Sequence, residues 1–424
     1  MNFREVLSRR MITCAFTGFA SGLPLFVLLQ LVQAWLRGEG VGLTEIGLFA
    51  LAQLPYTWKF IWSPLAERYP LPFLGRRRGW MLVTQVALVL GFAAFGYFDP
   101  VLDIEWVFAI ALMVAFFSAS QDIVIDAYRR ELLPTEEELA MGNTIHVQVY
   151  RIAGFIPGSL GFILADYLPW SVVYWIMAAF MMVGVITTLV IREAVLAPEI
   201  PATLKAAVIE PFREYFSRRG WGHAVLVLVF LFAYKFGDSM ATALSTSFYL
   251  DLGFTMTQIG LVAKNAGFWP AIIGGLLGGL LIVKIGINRG LWLFGVVQLV
   301  TILGFAYLAQ VGNDLVVLAA VIAAEYLGVG LGTAAFVAFI ARETSPVLAA
   351  TQFALFSAIT ALPRTLTAAA TGWLVEIVGW AEFFYLCAIF AVPGMILLIW
   401  VAPFNEQKWG QQTQQIRGQG KGSE

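Results

Sequence analysis

The chain has 424 residues, of which 60% are hydrophobic and 12% are charged, and its formal net charge is −1. Soluble globular proteins carry roughly 45–50% apolar and about 25% charged residues, so a surface with this few charges cannot face water on all sides. The composition excludes a disordered chain, a nucleic-acid-binding protein and a secreted disulfide scaffold, and it predicts an integral membrane protein. Because the chain has only two cysteines and two histidines, we expect no metal site and no cofactor.

A helix needs about 20 apolar residues to cross the roughly 30 Å hydrocarbon core of a bilayer. The sequence contains twelve such stretches and therefore predicts twelve transmembrane helices. In chain order they cover residues 11–36, 45–66, 79–98, 105–128, 139–165, 168–191, 221–249, 255–283, 290–310, 315–341, 347–375 and 379–403.

Lysine and arginine are concentrated on one side of these spans if both termini are placed in the cytoplasm. Twenty of the 26 basic residues then lie on the cytoplasmic side, one lies outside and five lie within spans. If one span had been miscounted, every later loop would lie on the opposite side of the membrane and this bias would disappear. The sequence therefore predicts a multi-pass protein with both termini in the cytoplasm.

The two halves of the chain repeat short motifs in the same order and at a nearly constant offset. Leu43-Thr-Glu-Ile-Gly-Leu48 recurs 213 residues later as Met256-Thr-Gln-Ile-Gly-Leu261, and Arg130-Glu-Leu-Leu-Pro134 recurs as Arg342-Glu-Thr-Ser-Pro346. Further pairs are Arg78-Gly-Trp80 with Arg289-Gly-Leu-Trp292, Arg151 with Arg364, and Gly161, Asp166 and Trp170 with Gly372, Glu376 and Trp380.

Two parallel repeats of six spans, joined by a charged segment, are similar to the layout of the major facilitator fold. The predicted fold is an all-α integral membrane protein with twelve helices in two pseudo-symmetric bundles of six. The bundles cover residues 1–191 and 221–403, a cytoplasmic linker covers 192–220, and a polar cytoplasmic tail covers 404–424. The linker either is a simple tether or carries an interfacial helix over Leu204–Phe216.

Nine ionisable residues fall within the predicted spans, where each costs at least about 2.5–3.5 kcal/mol on insertion scales if it faces lipid. We expect these residues to line a water-filled cavity or to pair with one another. They are Lys59, Asp122, Asp126, Arg151, Lys235, Asp238, Lys264, Glu325 and Arg364.

The four acids within the spans are candidates for proton coupling. Asp122 and Asp126 share one face of the fourth span, and two close carboxylates do not both ionise easily, so one of them is suited to carry a proton. Alternatively, Arg129 or Arg130 holds them in ion pairs that form a cytoplasmic gate, an interpretation we favour for Asp126. Glu325 has no basic residue within a helical turn, so it needs a partner from another span or carries a proton.

The basic residues within the spans predict an anionic or zwitterionic solute, because guanidinium and ammonium groups bind carboxylates. Arg151 and Arg364 occupy equivalent places in the two halves, and they either bind the solute or only fasten the halves together. Lys235 lies three residues before Asp238, so these two either neutralise each other or act separately on solute and proton. The remaining basic candidates are Lys59 and Lys264.

The loop between the second and third spans carries Glu67-Arg68 and then Gly75-Arg-Arg-Arg78. Basic side chains here can cap helix ends and pair with acids of the other half, or they can anchor the chain to anionic lipid. The predicted cytoplasmic gate consists of Glu67, Arg68, Arg129, Arg130 and Arg342.

Several motifs of the first half resemble one family. They are Gly18–Pro24, Leu54–Phe60, Leu71–Trp80, Ser118–Glu131 and Tyr150–Gly154. In these motifs the chain resembles the AmpG-type muropeptide permeases, a branch of the major facilitator superfamily with acetyl-CoA transporters as distant relatives. The resemblance covers most of the first half closely and the second half more diffusely, and the segment Gln121–Arg129 is its most specific part.

The resemblance implies an importer in the inner membrane of Gram-negative bacteria. Its solutes would be N-acetylglucosaminyl-1,6-anhydro-N-acetylmuramic acid and its peptide derivatives, moved from periplasm to cytoplasm by proton symport. This uptake would serve cell-wall recycling and, in some species, β-lactamase induction. The substrate-binding candidates are then Lys59, Gln121, Tyr150, Arg151, Lys235, Lys264 and Arg364.

Two other functions compete with this interpretation. One is transport of another anionic solute, such as an acyl-CoA. The other, a membrane enzyme or receptor, is disfavoured because the sequence has no histidine cluster, no Gly-x-Ser-x-Gly elbow and no P-loop. The expected partners are the anionic sugar-peptide substrate, protons and the lipid bilayer, without nucleic acid, and a monomer is the default.

Overall fold

A computed structural model of the chain describes residues 8–63, 71, 73–133, 135–193, 213–344 and 349–405, and within these residues the only regular structure is helical. Twelve helical segments occupy the positions of the twelve predicted spans. They are α1 (Arg9–Gly38), α2 (43–61), α3 (Arg76–Phe95), α4 (Ile104–Leu132), α5 (136–165), α6 (Trp170–Val190), α7 (Trp221–Asp251), α8 (Met256–Ile285), α9 (Ile287–Val311), α10 (Leu315–Glu343), α11 (Ala349–Val378) and α12 (Trp380–Val401).

Ten of the helices in the described residues are long and apolar enough to cross a bilayer, judged by length and composition. α2 is instead broken into short pieces, since α-helical turns at Leu43–Phe49 and Leu54–Trp58 alternate with 3₁₀ turns at Ala50–Gln53 and Lys59–Ile61. Pro55 contributes to this break because it lacks the N–H that would bond to the preceding turn.

The chain divides into two compact units. Among the described residues, the first unit combines α1–α6 with residues 243–264 and 365–377, and the second combines the rest of α7, α8 and α11 with α9, α10 and α12. This division cuts through three helices, so it does not test the predicted boundaries at residues 191 and 221. Those boundaries stay a prediction.

Close packing of α1 on α5 in the first unit depends on two glycines spaced one turn apart. A Cβ atom on Gly18 would clash with the backbone carbonyl of His146, and a Cβ atom on Gly22 would clash with that of Tyr150. Small residues at this spacing let two membrane helices approach until their backbones touch. The Gly18–Pro24 motif is therefore explained in part by helix packing.

A buried ion pair ties α3 to α4 at their predicted inner ends. The Glu131 carboxylate accepts hydrogen bonds from Arg77 Nη2 at 2.7 Å and from Arg76 Nη2 at 2.8 Å. Arg77 is only 2% exposed and Glu131 only 7%. Arg76 and Arg77 thus pair with an acid of their own half.

The N-terminus of α3 is capped by Glu193, which follows α6. Its carboxylate accepts hydrogen bonds from the backbone N–H groups of Arg77 at 2.7 Å and Arg78 at 3.1 Å. The Arg78 guanidinium in turn donates to the backbone carbonyls of Thr188 and Leu189 near the end of α6. Each partner satisfies helix-end groups that have no bond within their own helix.

The second unit repeats this arrangement with different residues. Arg342 of α10 donates to Asn288 of α9 at 2.6 Å, and Trp292 of α9 donates to the backbone carbonyl of Ala402 just after α12 at 3.1 Å. The start of α3 and the start of α9 are equivalent, because the repeated motifs that contain Arg78 and Arg289 lie there. The repeated motifs therefore mark the inner ends of equivalent helices.

The end of the predicted linker packs within the second unit. Residues 213–219 form a short helix in which Tyr215 is 1% exposed and its ring centroid lies 4.9 Å from that of Phe356. Arg219 at the end of this helix forms an ion pair with Glu343 at 3.2 Å. Residues 194–212 lie outside the described residues, as do Glu67, Arg68 and the tail from residue 406 onward.

Two acidic residues near the predicted inner ends make a matched test of these ion pairs. We expect Glu131→Ala to destabilise the protein by about 3–5 kcal/mol, because it leaves the buried Arg77 without a counter-ion. Glu138→Ala breaks an exposed pair with Arg10 at 2.8 Å and should cost at most about 1 kcal/mol. Melting temperatures in detergent measure both variants, and an equal loss would contradict the role of burial.

Candidate functional site

The first cluster of charged residues joins three helices of the first unit. Asp122 of α4 accepts a hydrogen bond from Ser21 of α1 at 2.5 Å, and its second carboxylate oxygen lies 4.0 Å from Lys59 Nζ of α2. The side chain of Lys59 is 36% exposed and that of Asp122 is 13% exposed. The ion pair is therefore long, and its lysine end is the more exposed one.

The second cluster lies in the second unit and contains two acids with one lysine. Lys235 Nζ lies 3.4 Å from the Asp238 carboxylate and 5.9 Å from the centre of the Phe336 ring. Glu325 is 0% exposed and lies beside Asp238, Lys235 and Thr301. The carboxyl groups of Glu325 and Asp238 therefore form a close acidic pair beside a single lysine.

Local helix geometry explains how Lys235 reaches this cluster. α7 is interrupted at Lys235, between the helical pieces Trp221–Tyr234 and Phe236–Ala243. Next to the break, Tyr234 donates its hydroxyl to the backbone carbonyl of Leu291, and Gly237 has room only for a hydrogen because α12 lies against it at Cys387. The break and these contacts fix the segment that carries both Lys235 and Asp238.

A third basic group, Lys264 of α8, has neutral partners in the first unit. Its ammonium donates to the Gln30 side chain of α1 at 2.9 Å. It also lies 5.2 Å and 5.6 Å from the ring centres of Phe26 and Phe155. Such distances permit favourable cation–π contacts.

Among the predicted gate residues that the structure describes, Arg129 and Arg342 each have a local partner. Arg129 donates to Asp126 at 2.8 Å and to Asn143 at 2.7 Å, and the Asp126 side chain is 54% exposed. Arg130 is exposed, and Arg342 contacts Asn288 within the second unit. The gate stays a prediction.

The remaining substrate-binding candidates have different surroundings. Gln121 is 0% exposed and donates to the Ala20 carbonyl at 2.8 Å, so it fastens α4 to α1 in this conformation. Tyr150 packs against Phe26 with ring centroids 5.7 Å apart. Arg151 is exposed on α5, and Arg364 lies in α11 with a side chain outside the described part of the structure. The roles of these residues in solute binding stay predictions.

Two carboxylates cap helix N-termini across the sequence repeat, at the ends opposite the arginine-rich loops. Glu376 of α11 accepts hydrogen bonds from the Thr44 hydroxyl at 2.6 Å and from the Thr44 backbone N–H at 3.1 Å. Asp166, just after α5, accepts one from the Thr257 backbone N–H at 2.7 Å. α2 has no capping side chain from its own segment, so Glu376 supplies an acceptor and a favourable charge for its N-terminus.

Close backbone packing accompanies both caps within the first unit. A Cβ atom on Gly372 would clash with the backbone of Leu43, and one on Gly260 would lie 2.9 Å from the Ser159 carbonyl oxygen. An ion pair between Arg37 and Asp251 at 2.6 Å adds a third contact at these ends. We call the two caps and this ion pair the outer clasp, because they lie at the predicted outer ends of the helices.

Comparison with known proteins identifies the family. The Major Facilitator Superfamily model matches residues 11–366. Escherichia coli K12 anhydromuropeptide permease is 41% identical over 384 residues, which cover 90% of this chain and 77% of that relative. A Rickettsia felis transporter of the AmpG type is 30% identical over 394 residues, covering 91% of this chain and 94% of that relative. The chain belongs to the AmpG family of the major facilitator superfamily.

An uncharacterised Haemophilus influenzae protein is another relative of this chain. It is 48% identical over 415 residues, which cover 95% of this chain and 97% of that protein. Among solved structures, the nucleoside transporter NupG matches with a TM-score of 0.72 at 13% identity, covering 95% of this chain and all of that one. A proton-dependent oligopeptide transporter matches with a TM-score of 0.69 at 13% identity, covering 93% and 98%. These structures share the fold.

The comparisons confirm three predictions. The family suggested by the motifs of the first half is correct, and the all-helical major facilitator fold is correct. The prediction that the chain is not an enzyme is also confirmed, since the named relatives are permeases or transporters that share a transporter fold. The chain is a multi-pass membrane protein of this superfamily.

Several residues of these clusters were missed by sequence reasoning. Ser21 and Gln30 are polar residues in an apolar helix, and nothing in the sequence shows which partner each one faces. A signal did exist for the outer clasp, because Glu376 and Asp166 were recognised as members of the repeat. Their partners, the Thr-x-Ile-Gly motifs, belong to the same set of repeats. Pairing the repeated motifs with each other would have found the clasp.

Hydrogen–deuterium exchange tests the outer clasp. We expect Glu376→Gln to raise exchange of the Thr44 amide roughly two- to fivefold, the range for loss of an exposed charged contact. Asp166→Asn should do the same at Thr257. Glu382→Gln, an exposed acid near the start of α12, serves as the control and should leave both peptides unchanged. Unchanged exchange of the Thr44 amide in Glu376→Gln would show that Glu376 does not cap α2.

Proposed function

We propose that the protein imports anhydromuropeptides by proton symport. The solutes are N-acetylglucosaminyl-1,6-anhydro-N-acetylmuramic acid and its peptide derivatives, moved from periplasm to cytoplasm for cell-wall recycling. The observation that carries the proposal is the 41% identity to Escherichia coli anhydromuropeptide permease over 90% of the chain. The charged clusters described above support it.

The cluster in the second unit supports the proton-coupling part of the proposal. Lys235 faces two carboxyl groups, those of Asp238 and Glu325, so one added proton makes the group of three electrically neutral. A buried carboxylate that lies beside a second carboxyl group is costly to ionise, and Glu325 is 0% exposed and lies beside Asp238. Glu325 therefore carries the proton in this conformation, and Asp238 remains paired with Lys235.

Asp122 is the second proton site in the proposal. It has one hydroxyl donor, Ser21, and only a 4.0 Å contact with Lys59. A carboxylate held this weakly can exchange its proton when Lys59 turns toward the solute. Asp126 is assigned to the proposed gate instead, because it pairs with Arg129 at 2.8 Å.

The basic residues support an anionic solute, since muropeptides carry free carboxylates. Arg151 is exposed and forms no ion pair within the described residues, and the Lys59 side chain is partly exposed. Tyr150 and Phe26 supply aromatic rings that contact each other in the first unit, and aromatic rings suit sugar rings. These groups form the proposed solute contacts of the first unit.

The distribution of basic residues supports the membrane orientation. Twenty of 26 Lys and Arg residues lie on one side of the predicted spans, and the positive-inside rule places that side in the cytoplasm. We therefore place both termini in the cytoplasm and the protein in the bacterial inner membrane. The ends that carry the outer clasp then face the periplasm.

Uptake into proteoliposomes tests the proposed function and the role of Glu325 together. We expect wild type to accumulate labelled anhydromuropeptide when the outside is acidic, by about tenfold per pH unit for each proton moved. Glu325→Gln mimics the protonated acid, so it should still exchange solute across the membrane but lose accumulation. The control Asp314→Asn keeps the cap at the start of α10 and should accumulate as wild type does.

Three outcomes would contradict these assignments. Wild-type uptake that ignores the pH gradient would reject proton symport. Normal accumulation by Glu325→Gln would reject Glu325 as the proton site. Preferential uptake of an acyl-CoA over the anhydromuropeptide would establish the alternative solute instead.

A separate prediction concerns Arg151. Arg151→Ala should raise the KM for anhydromuropeptide uptake by roughly tenfold or more, through loss of a charge-assisted hydrogen bond. The same assay with Arg9→Ala is a control, because Arg9 is an exposed arginine at the start of α1 with no assigned role in transport, and it should leave KM unchanged. An unchanged KM in Arg151→Ala would assign Arg151 to structure.

A further inference from the structure

Three π-helical segments of the first unit meet at one point. They are Val27–Leu31 in α1, Ile156–Gly161 in α5 and Ile259–Ala263 in α8. Such segments are rare and occur frequently at functional sites. Gln30 lies in the first segment, Gly158 lies in the second, and Lys264 directly follows the third. The contacts among these three residues bring the segments together.

Lys264 differs from the other lysines of the spans in its partners. Lys59 and Lys235 each have a carboxylate within 4.0 Å. Lys264 has only the amide oxygen of Gln30 at 2.9 Å and two aromatic rings, and no described carboxylate lies within ion-pair distance of it. Its positive charge is therefore not balanced locally by the described side chains.

This lack of a counter-ion matters because Lys264 lies deep within a span. It is eight residues after the start of α8 at Met256, which corresponds to about 12 Å along the helix axis. A cation at such a depth is costly unless it is paired. A carboxylate binds an ammonium group more strongly than a neutral amide oxygen does. The environment of Lys264 therefore favours an anionic ligand over Gln30.

Gly158 keeps the space around this contact open. A Cβ atom at Gly158 would clash with the side-chain oxygen of Gln30 and would lie 3.1 Å from Lys264 Nζ. Any other residue at this position would displace the amide or the ammonium. The backbone of α5 thus forms one wall of the Lys264 environment, and Phe26 and Phe155 form apolar walls.

We propose that Lys264 binds a carboxylate of the transported solute and that Gln30 occupies the ammonium when no solute is bound. This inference rests on the proposed function for the identity of the solute as an anhydromuropeptide. Gln30 belongs to the first half of the sequence and Lys264 to the second. Solute binding therefore also breaks a hydrogen bond that joins α1 to α8.

Binding to purified protein tests this exchange of partners. The probes are an anhydromuropeptide and the same compound with its carboxylates converted to amides, measured by calorimetry on wild type, Lys264→Gln and Gln30→Leu. We expect wild type to prefer the acid form by roughly tenfold. Lys264→Gln should lose this preference, because it should bind the acid form more weakly and the amide form as wild type does. Gln30→Leu should bind the acid form more tightly than wild type.

Several results would overturn the inference. If Lys264 has a purely structural role, Lys264→Gln should bind both forms more weakly by the same factor. Unchanged or weaker binding of the acid form to Gln30→Leu would reject competition by Gln30. If wild type binds the acid and the amide forms with equal affinity, the role of Lys264 is rejected but the proposed function is not. If wild type binds neither form, the proposed function itself is rejected. Size-exclusion profiles and melting temperatures establish that each variant is folded before binding is measured.

Discussion

Hydrocarbon offers no water to solvate a charge, so the charged side chains in these helices depend on partners supplied by the protein. Where both partners are present the pair is structural, as with Arg77 and Glu131, which are almost completely buried. Under the proposed function, a group whose partner is distant or neutral accepts the solute or a proton. Asp122, with its 4.0 Å contact to Lys59, and Lys264, with its amide partner, are of this second kind. The difference separates residues that hold the fold from residues suited to move a solute or a proton.

The same physical rule explains the ends of the helices. Unpaired N–H groups at a helix N-terminus attract a carboxylate, and this chain uses that attraction at two different places. Glu193 fastens α3 to the segment after α6 within one half of the sequence. Glu376 and Asp166 instead join elements from the two halves. The outer clasp consists of few and largely exposed bonds, so under the proposed function it opens during transport while contacts such as that of Glu193 stay intact.

Much of the fold could be predicted from the sequence because hydropathy and charge asymmetry act on whole helices. The nine charged residues within spans were also visible, since each one interrupts an apolar run. Their pairing was not visible, because it depends on how each helix is rotated and where it breaks. The interruption of α7 at Lys235 and the π-helical turn before Lys264 change which face points to a neighbour, and no periodicity in the sequence shows either feature. Gln30 carries no charge and was overlooked for the same reason.

Coupling between solute and proton movement is the central claim, and solute-driven proton flux tests it most directly. Proteoliposomes that contain a pH-sensitive dye are given a gradient of anhydromuropeptide with no imposed pH difference. The account predicts acidification of the interior that follows solute entry and that disappears in Glu325→Gln. Entry of labelled solute through the wild-type protein without any change in internal pH would contradict the account.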